Sequence, residues 1–327
     1  MSHPPARTTG VEFDGDLDTT EMLYDVGAER PHDEADIRLD DQISAPSAGP
    51  PPYLSPSSAS TFRSCAKRWK FRYIDRLADP AGEAALAGTF AHRVLELVMD
   101  APASERTIDR AREIARSVWP ETEADPDFVA LALDDAQQRR FRWLGWTAIE
   151  GLWRLENPSD ITVVATEQKV DTHLGDVPFR GIVDRLEREN ARADAGLIVS
   201  DYKSGRAPSQ RFQKDRLDQV MLYAAAVEAA SGERPRAARL LYLGQCVIET
   251  EVTPELLDAS MAALHDTWSS IDQAVSSATY EATPGPLCGW CPYAGQCEEG
   301  LAELELRRSA GRIRSSAPSL RFLAAAS

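Results

Sequence analysis

Gly196-Leu197-Ile198-Val199-Ser200-Asp201-Tyr202-Lys203 is the stretch on which the reading of the whole chain turns. Its first five residues are uncharged and mostly apolar, too few for a stable helix and bounded by a glycine, which predicts a buried central strand. Side chains alternate along a strand, so Asp201 and Lys203 project to the same side. Coming directly after the apolar run, they sit where a sheet meets solvent. Upstream, Gly181-Ile182-Val183-Asp184-Arg185 places a second carboxylate on the preceding strand. Glu167, one strand earlier, is a further acid able to point at the same place.

Working outward, runs 162–171 and 177–188 alternate as strands, and His173-Leu174-Gly175-Asp176 between them is a hairpin signal. Beyond Lys203 the pattern predicts a helix over 215–230, strands over 239–243 and 247–252, and a helix over 254–276 with Pro254 at its first position. Before Ile161 the periodicity is helical: 57–77 with Ser57 or Ser58 as N-cap, 84–99, 108–118 and 128–155. Strand, strand, strand, helix, strand, strand describes an α/β core with a mixed central sheet. It is preceded by helices, of which about 100–158 form an insertion.

The chain has 327 residues and a formal net charge of −16. The charge is unevenly spread: residues 1–50 hold twelve Asp/Glu against three Arg, a local balance of −9 that leaves −7 for the rest. Residues 1–52 read as a disordered acidic tail, because they cannot bury enough apolar surface to offset ordering entropy. The foldable part begins at Tyr53. No apolar run reaches membrane-spanning length and none near Met1 resembles a signal peptide, so a cytoplasmic protein is expected.

Two hard oxygen ligands converging on one point suit Mg²⁺ or Mn²⁺. A neighbouring lysine can orient the attacking water and offset phosphodiester charge. A surface salt bridge at a strand end would use the same three residues, so the triplet gains weight only beside other pieces. Those pieces are His92, early in the helix after Gly88-Thr89-Phe90-Ala91, and Gln219 with Tyr223, four apart on one helical face.

A second constellation is Cys288-Gly289-Trp290-Cys291, followed five residues later by Cys297. Clustered cysteines in a reducing compartment point to a metal rather than to disulfides. Cys65 is the expected fourth ligand; Cys246, within a strand pattern, reads as a buried or edge thiol. Zinc and a 4Fe–4S cluster both accept four thiolates.

Basic and aromatic residues alternate from Arg63 through Arg68, Trp69 and Arg72 to Arg76, a mixture able to hold a phosphate backbone and stack bases, or to form an ordinary amphipathic helix. Arg206, Arg211, Lys214 and Arg216 make a second basic stretch. Residues 301–327 read as a basic tail.

Together these segments resemble the RecB-family exonucleases, the branch of the PD-(D/E)XK nucleases that includes the AddB nuclease domain and the CRISPR-associated exonucleases. The resemblance rests, in order, on Cys65 after a serine-rich helix start, "GTFAHRVLE", "FRGIVDRLE", "VSDYKSG", "DQVMLYAAAVE" and "CGWCPYAGQC". It implies metal ligation by His92, Asp184, Asp201 and the backbone carbonyl of Tyr202, with Lys203 catalytic and Gln219 and Tyr223 completing the site. It also implies a 4Fe–4S cluster on Cys65, Cys288, Cys291 and Cys297. Ser204 stands where threonine is frequent and Ala66 where proline often follows the first cysteine; neither is a ligand position. The activity implied is metal-dependent DNA hydrolysis, exonucleolytic and directed to single strands or ends, in repair or recombination. A non-catalytic DNA-binding accessory subunit is the alternative. No phosphate-binding GxxxxGK[ST] loop is present, so any unwinding would come from a separate helicase.

Overall fold

The computed structural model describes residues 49–192, 195–209 and 213–324. The acidic segment as far as residue 48 lies outside them, as do Arg211 and the side chain of Lys214.

Five strands form one sheet in sequence order: β1 (Thr162–Leu174), β2 (Val177–Arg188), β3 (Leu197–Lys203), β4 (Ala237–Tyr242) and β5 (Cys246–Glu251). β1–β2, β2–β3 and β4–β5 pair antiparallel, whereas β3–β4 pair parallel. The β1–β2 turn has Gly175 at φ +65°, a region open to glycine without steric cost. All seven residues of β3 are buried, as its apolar run requires of a central strand.

The helices are α1 (Pro56–Ser64), α2 (Ala66–Trp69, continued by a π turn at Lys70–Ile74), α3 (Glu83–Asp100), α4 (Ile108–Glu123), α5 (Pro126–Ala130), α6 (Asp135–Leu155), α7 (Gln213–Ser231), α8 (Pro254–Ser277), α9 (Glu298–Ser309) and α10 (Arg321–Ala324). Two of these differ from expectation. The single helix predicted over 57–77 is broken at Cys65, whose backbone is extended (φ −167°, ψ 109°), and its cap is Ser55, locked to Ser58 by reciprocal hydrogen bonds. The helix predicted over 128–155 is two helices, because Asp134 starts its own capping box with Gln137.

Two apolar cores cover the two faces of the sheet. One lies under α7 and α8 and takes Val199, Leu240 and Phe179 from the strands. The other lies under α3, α4 and α6 and takes Tyr202, Leu241 and Leu243. Burial of these side chains contributes roughly 1.5–3 kcal/mol each. The chain after residue 300 is not a loose tail: α9, Leu320, Phe322 and Leu323 pack around the cysteine segment. Two of its five arginines pair with the helix's own acids, Arg307 with Glu303 and Arg308 with Glu305.

Candidate metal centre

The centre forms where β2 and β3 part. Their ladder runs from Arg188↔Leu197 to Arg185↔Ser200 and stops there. Just beyond the last pair, the Tyr202 backbone N–H donates to Asp184 Oδ2 at 2.7 Å. Asp184 thus satisfies an amide that the missing ladder would otherwise have left bare. Parting strands also let groups from both helical layers reach one place. From the α3 side, His92 Nδ1 lies 3.5 Å from Asp184 Oδ2. From the α7 side, Lys203 Nζ lies 3.0 Å from Asp201 Oδ2 and donates to Gln219 Oε1 at 3.1 Å. Gln219 Nε2 in turn donates to Asp201 Oδ1 at 3.4 Å.

Glu167 arrives by an unusual backbone. It sits within β1 at φ +43°, left-handed for a residue with a Cβ. That conformation costs about 1–2 kcal/mol. Ala165 packs under the α7 layer. Regular alternation would send Glu167 there too. The left-handed residue turns it instead to the α3 side, where its charge acts on His92 and Arg93. His92, Glu167 and Asp184 each offer a ligand atom within 4.8 Å of the others. Asp201 is not part of that triple; it stands beside it, against Lys203 and Gln219.

The electrostatics are those of a site built around a cation. Burial raises the Glu167 carboxyl to about 8, with the Asp184 charge adding to it. Burial also works against a charged His92, but Asp184, then Glu167 and Asp201, carry its imidazole up to about 10. Protons therefore balance the clustered carboxylates when no metal does so. One nitrogen and several oxygen donors fit a divalent ion of the Mn²⁺ or Mg²⁺ kind.

Tyr223 is buried, and a Cβ on Gly181 would come within 2.6 Å of its ring. The glycine of the "FRGIVDRLE" segment is therefore what admits Tyr223 to the sheet. Behind the centre lies a network that the sequence reading missed. Arg185, fully buried, donates to Tyr202 Oη (2.9 Å) and Glu156 Oε1 (2.6 Å), and lies 2.5 Å from Glu187 Oε2. Glu187 is also bound by Arg239 at 2.9 Å. The only signal in the sequence was an arginine directly after Asp184; simple alternation would place it on the other face, whereas it lies with Tyr202 and Glu156 on the α6 side.

The cysteines converge as well. Cys65, Cys288, Cys291 and Cys297 line one pocket with Arg68 and Phe71. Each sulfur accepts a backbone N–H: from Thr283 and Gly285 at 3.5 Å, from Tyr293, and from Gly300 at 3.3 Å, in chain order of the cysteines. Burial pushes the Cys291 thiol up to about 11 and raises Cys288 and Cys297 too. Cys297 is buried and the other three are partly so. Lys67 joins the two chain ends beside them, 2.6 Å from Glu299. Cys246 lies at the start of edge strand β5, packed against the main core.

Of the nucleic-acid residues expected between 63 and 76, Arg68, Trp69 and Arg72 are packed or partly covered. Trp69 is 1% exposed and packs on Phe62, Tyr73 and Tyr280. Arg72 pairs with Asp79 at 2.5 Å, and Arg68 faces the cysteine pocket. Of the four predicted contacts only Arg206 is exposed.

The fold and centre define a class of metal-dependent nucleases. The family model for the PD-(D/E)XK nuclease superfamily matches residues 53–298, and the chain belongs to that superfamily. No curated protein matches the sequence. Among the described residues no helix is long and apolar enough to cross a membrane.

Proposed function

We propose that this protein is a cytoplasmic, Mn²⁺- or Mg²⁺-dependent deoxyribonuclease of the RecB type, acting from single strands or ends in DNA repair or recombination. The observation that carries the reading is the convergence of His92, Glu167 and Asp184 within 4.8 Å, beside the Lys203–Asp201 pair. In this reading His92, Asp184, Asp201 and the Tyr202 carbonyl hold the ion, and Glu167 joins them. The chemistry supplied by a divalent ion there is polarisation of a phosphodiester oxygen and activation of a water. Lys203, held by Asp201 and Gln219, orients that water and offsets charge developing on the phosphate. Gln219 and Tyr223 keep the lysine side of the centre in place. An imidazole among the ligands favours Mn²⁺ over Mg²⁺. A separate helicase supplies any unwinding.

The four-cysteine pocket is assigned to a 4Fe–4S cluster, supported by the four N–H···S contacts and by the sequence resemblance. Its role is structural: it joins α1 and α2 to the segment before α9. Iron and acid-labile sulfide content, set against zinc content, distinguishes the two metals. Zinc alone at one equivalent would refute the cluster.

The deciding experiment is cleavage of labelled single- and double-stranded DNA with Mn²⁺ or Mg²⁺ by anaerobically purified protein, beside Asp201→Ala and Lys203→Ala. Metal-dependent cleavage that falls at least a hundredfold in both variants is expected. Binding without cleavage by intact wild-type protein would establish the accessory-subunit alternative instead.

A further inference from the structure

With Trp69 and Arg72 buried, the described surface holds a different basic and aromatic face, far from them in sequence. α6 carries Arg139, Arg140, Arg142 and Trp143 within little more than one turn. Its inward residues are Phe141, Gly145, Ile149 and Leu152, so Trp143, two positions from both Phe141 and Gly145, points away from the core. It is 59% exposed. A single exposed tryptophan would need no explanation; its setting does. No acid occurs from Ala136 through Ile149, in a chain whose net charge is −16.

The neighbouring helix adds to the face. Arg142 lies over the Trp119 ring at 4.4 Å and Arg112 over Trp146 at 5.3 Å, which sets α4 and α6 antiparallel. Arg116, between Arg112 and Trp119 on α4, therefore lies level with the middle of this face and is exposed. Among the described residues, Arg116, Arg139 and Arg140 have no acidic partner, whereas most other surface arginines of α4 and α6 do: Arg110 has Glu113, Arg112 has Asp109 and Arg154 has Glu150. The face also sits at the level of the metal centre. Trp119 meets Phe90 edge-on at 5.9 Å, and Phe90 lies two residues before His92 on α3.

We infer that the α4–α6 face, centred on Trp143 with Arg116, Arg139 and Arg140, is a binding surface for a single nucleic-acid strand. Unneutralised guanidinium groups take the phosphates and the exposed indole stacks a base, the combination that single-strand binders use. Substrate delivered here is substrate for the centre, so the inference rests on the nuclease reading for its purpose but not for its test.

That test uses full-length, anaerobically purified protein and a fluorescent oligothymidylate, followed by anisotropy in buffer without added divalent ions. Trp143→Ala is expected to weaken binding roughly five- to a hundredfold, the range for loss of one stacked base. Arg139→Gln combined with Arg140→Gln is expected to lower the slope of log affinity against log salt by about 1.4, at about 0.7 per phosphate. All variants should hydrolyse bis(p-nitrophenyl) phosphate at the wild-type rate with Mn²⁺, since that substrate is too small to reach α6. Unchanged affinity and slope would overturn the inference. So would a parallel loss of small-substrate hydrolysis, which signals a damaged fold. A dimer in sedimentation that Trp143→Ala dissolves without touching DNA binding would overturn it too, and would assign the face to a second copy of the chain. If wild-type protein hydrolyses neither substrate, the nuclease reading fails alone, and the anisotropy still decides the surface.

Discussion

Two segments of this chain mix arginine with tryptophan in nearly the same way, and they meet opposite fates. Between Arg63 and Arg76 the helix is wedged between the sheet-side core and the cysteine pocket, so Trp69 becomes a structural anchor and Arg72 a tether to Asp79. Between Arg139 and Trp146 the helix has only one neighbouring layer, so its outer face keeps its charges and its indole in water. Residue chemistry alone does not separate a binding face from a packed one. What separates them is how many sides of the helix other elements cover, which depends on contacts distant in sequence.

The contrast can be broken by substitution. Trp69→Ala should cost about 4 kcal/mol of unfolding free energy, as for a fully buried aromatic, with little direct effect on DNA affinity while the protein is folded. Trp143→Ala should do the reverse. Equal stability losses in the two variants, by denaturant titration, would show that the two helices are not differently placed. Arg185→Ala extends the same question to the interior. It strips Glu187 and Glu156 of a buried partner and should cost about 3 kcal/mol. Because Arg185 also holds Tyr202, whose amide caps Asp184, that variant should need more Mn²⁺ for half-maximal cleavage. A variant destabilised but with unaltered metal dependence would confine Arg185 to packing. Ser55→Ala removes the half of the α1 capping box in which the Ser55 hydroxyl accepts from the Ser58 N–H, and should lower stability by about 1 kcal/mol. Smallest of all, Arg139→Gln with Arg140→Gln should leave stability within about 0.5 kcal/mol, while changing the salt dependence of binding.

Much of the architecture was legible in the sequence because it is written in short-range signals. The apolar run before Asp201, the glycine turn at 175 and the periodic helices all appear near their predicted places. The two helix breaks were missed for local reasons: Cys65 leaves helical geometry to meet a pocket formed with residues 230 positions away, and the Asp134 cap lies inside a pattern that reads as continuous. Asp184, Asp201, Lys203 and Gln219 were legible because each sits at a fixed register beside an apolar run. The way Glu167, named as a further acid, joins His92 and Asp184 was not. Glu167 reaches His92 and Asp184 through a left-handed residue that no alternation rule anticipates. The Arg185 network was hidden because its partners Glu156 and Tyr202 come from distant parts of the chain. The basic stretch at 301–327 reads differently in the fold: Arg307 and Arg308 balance acids one helical turn away, and its apolar residues close over the cysteines.

The joining of residues 65–67 to 281–299 has a mechanical corollary. Lys67 and Glu299 lie 232 residues apart in the chain yet touch, so the whole five-stranded sheet is strung between two segments that meet at one clasp. A pull on the segment before Tyr53 is met first by β2, the strand bearing Asp184, because Leu54 bonds to Pro178 and Arg180 there.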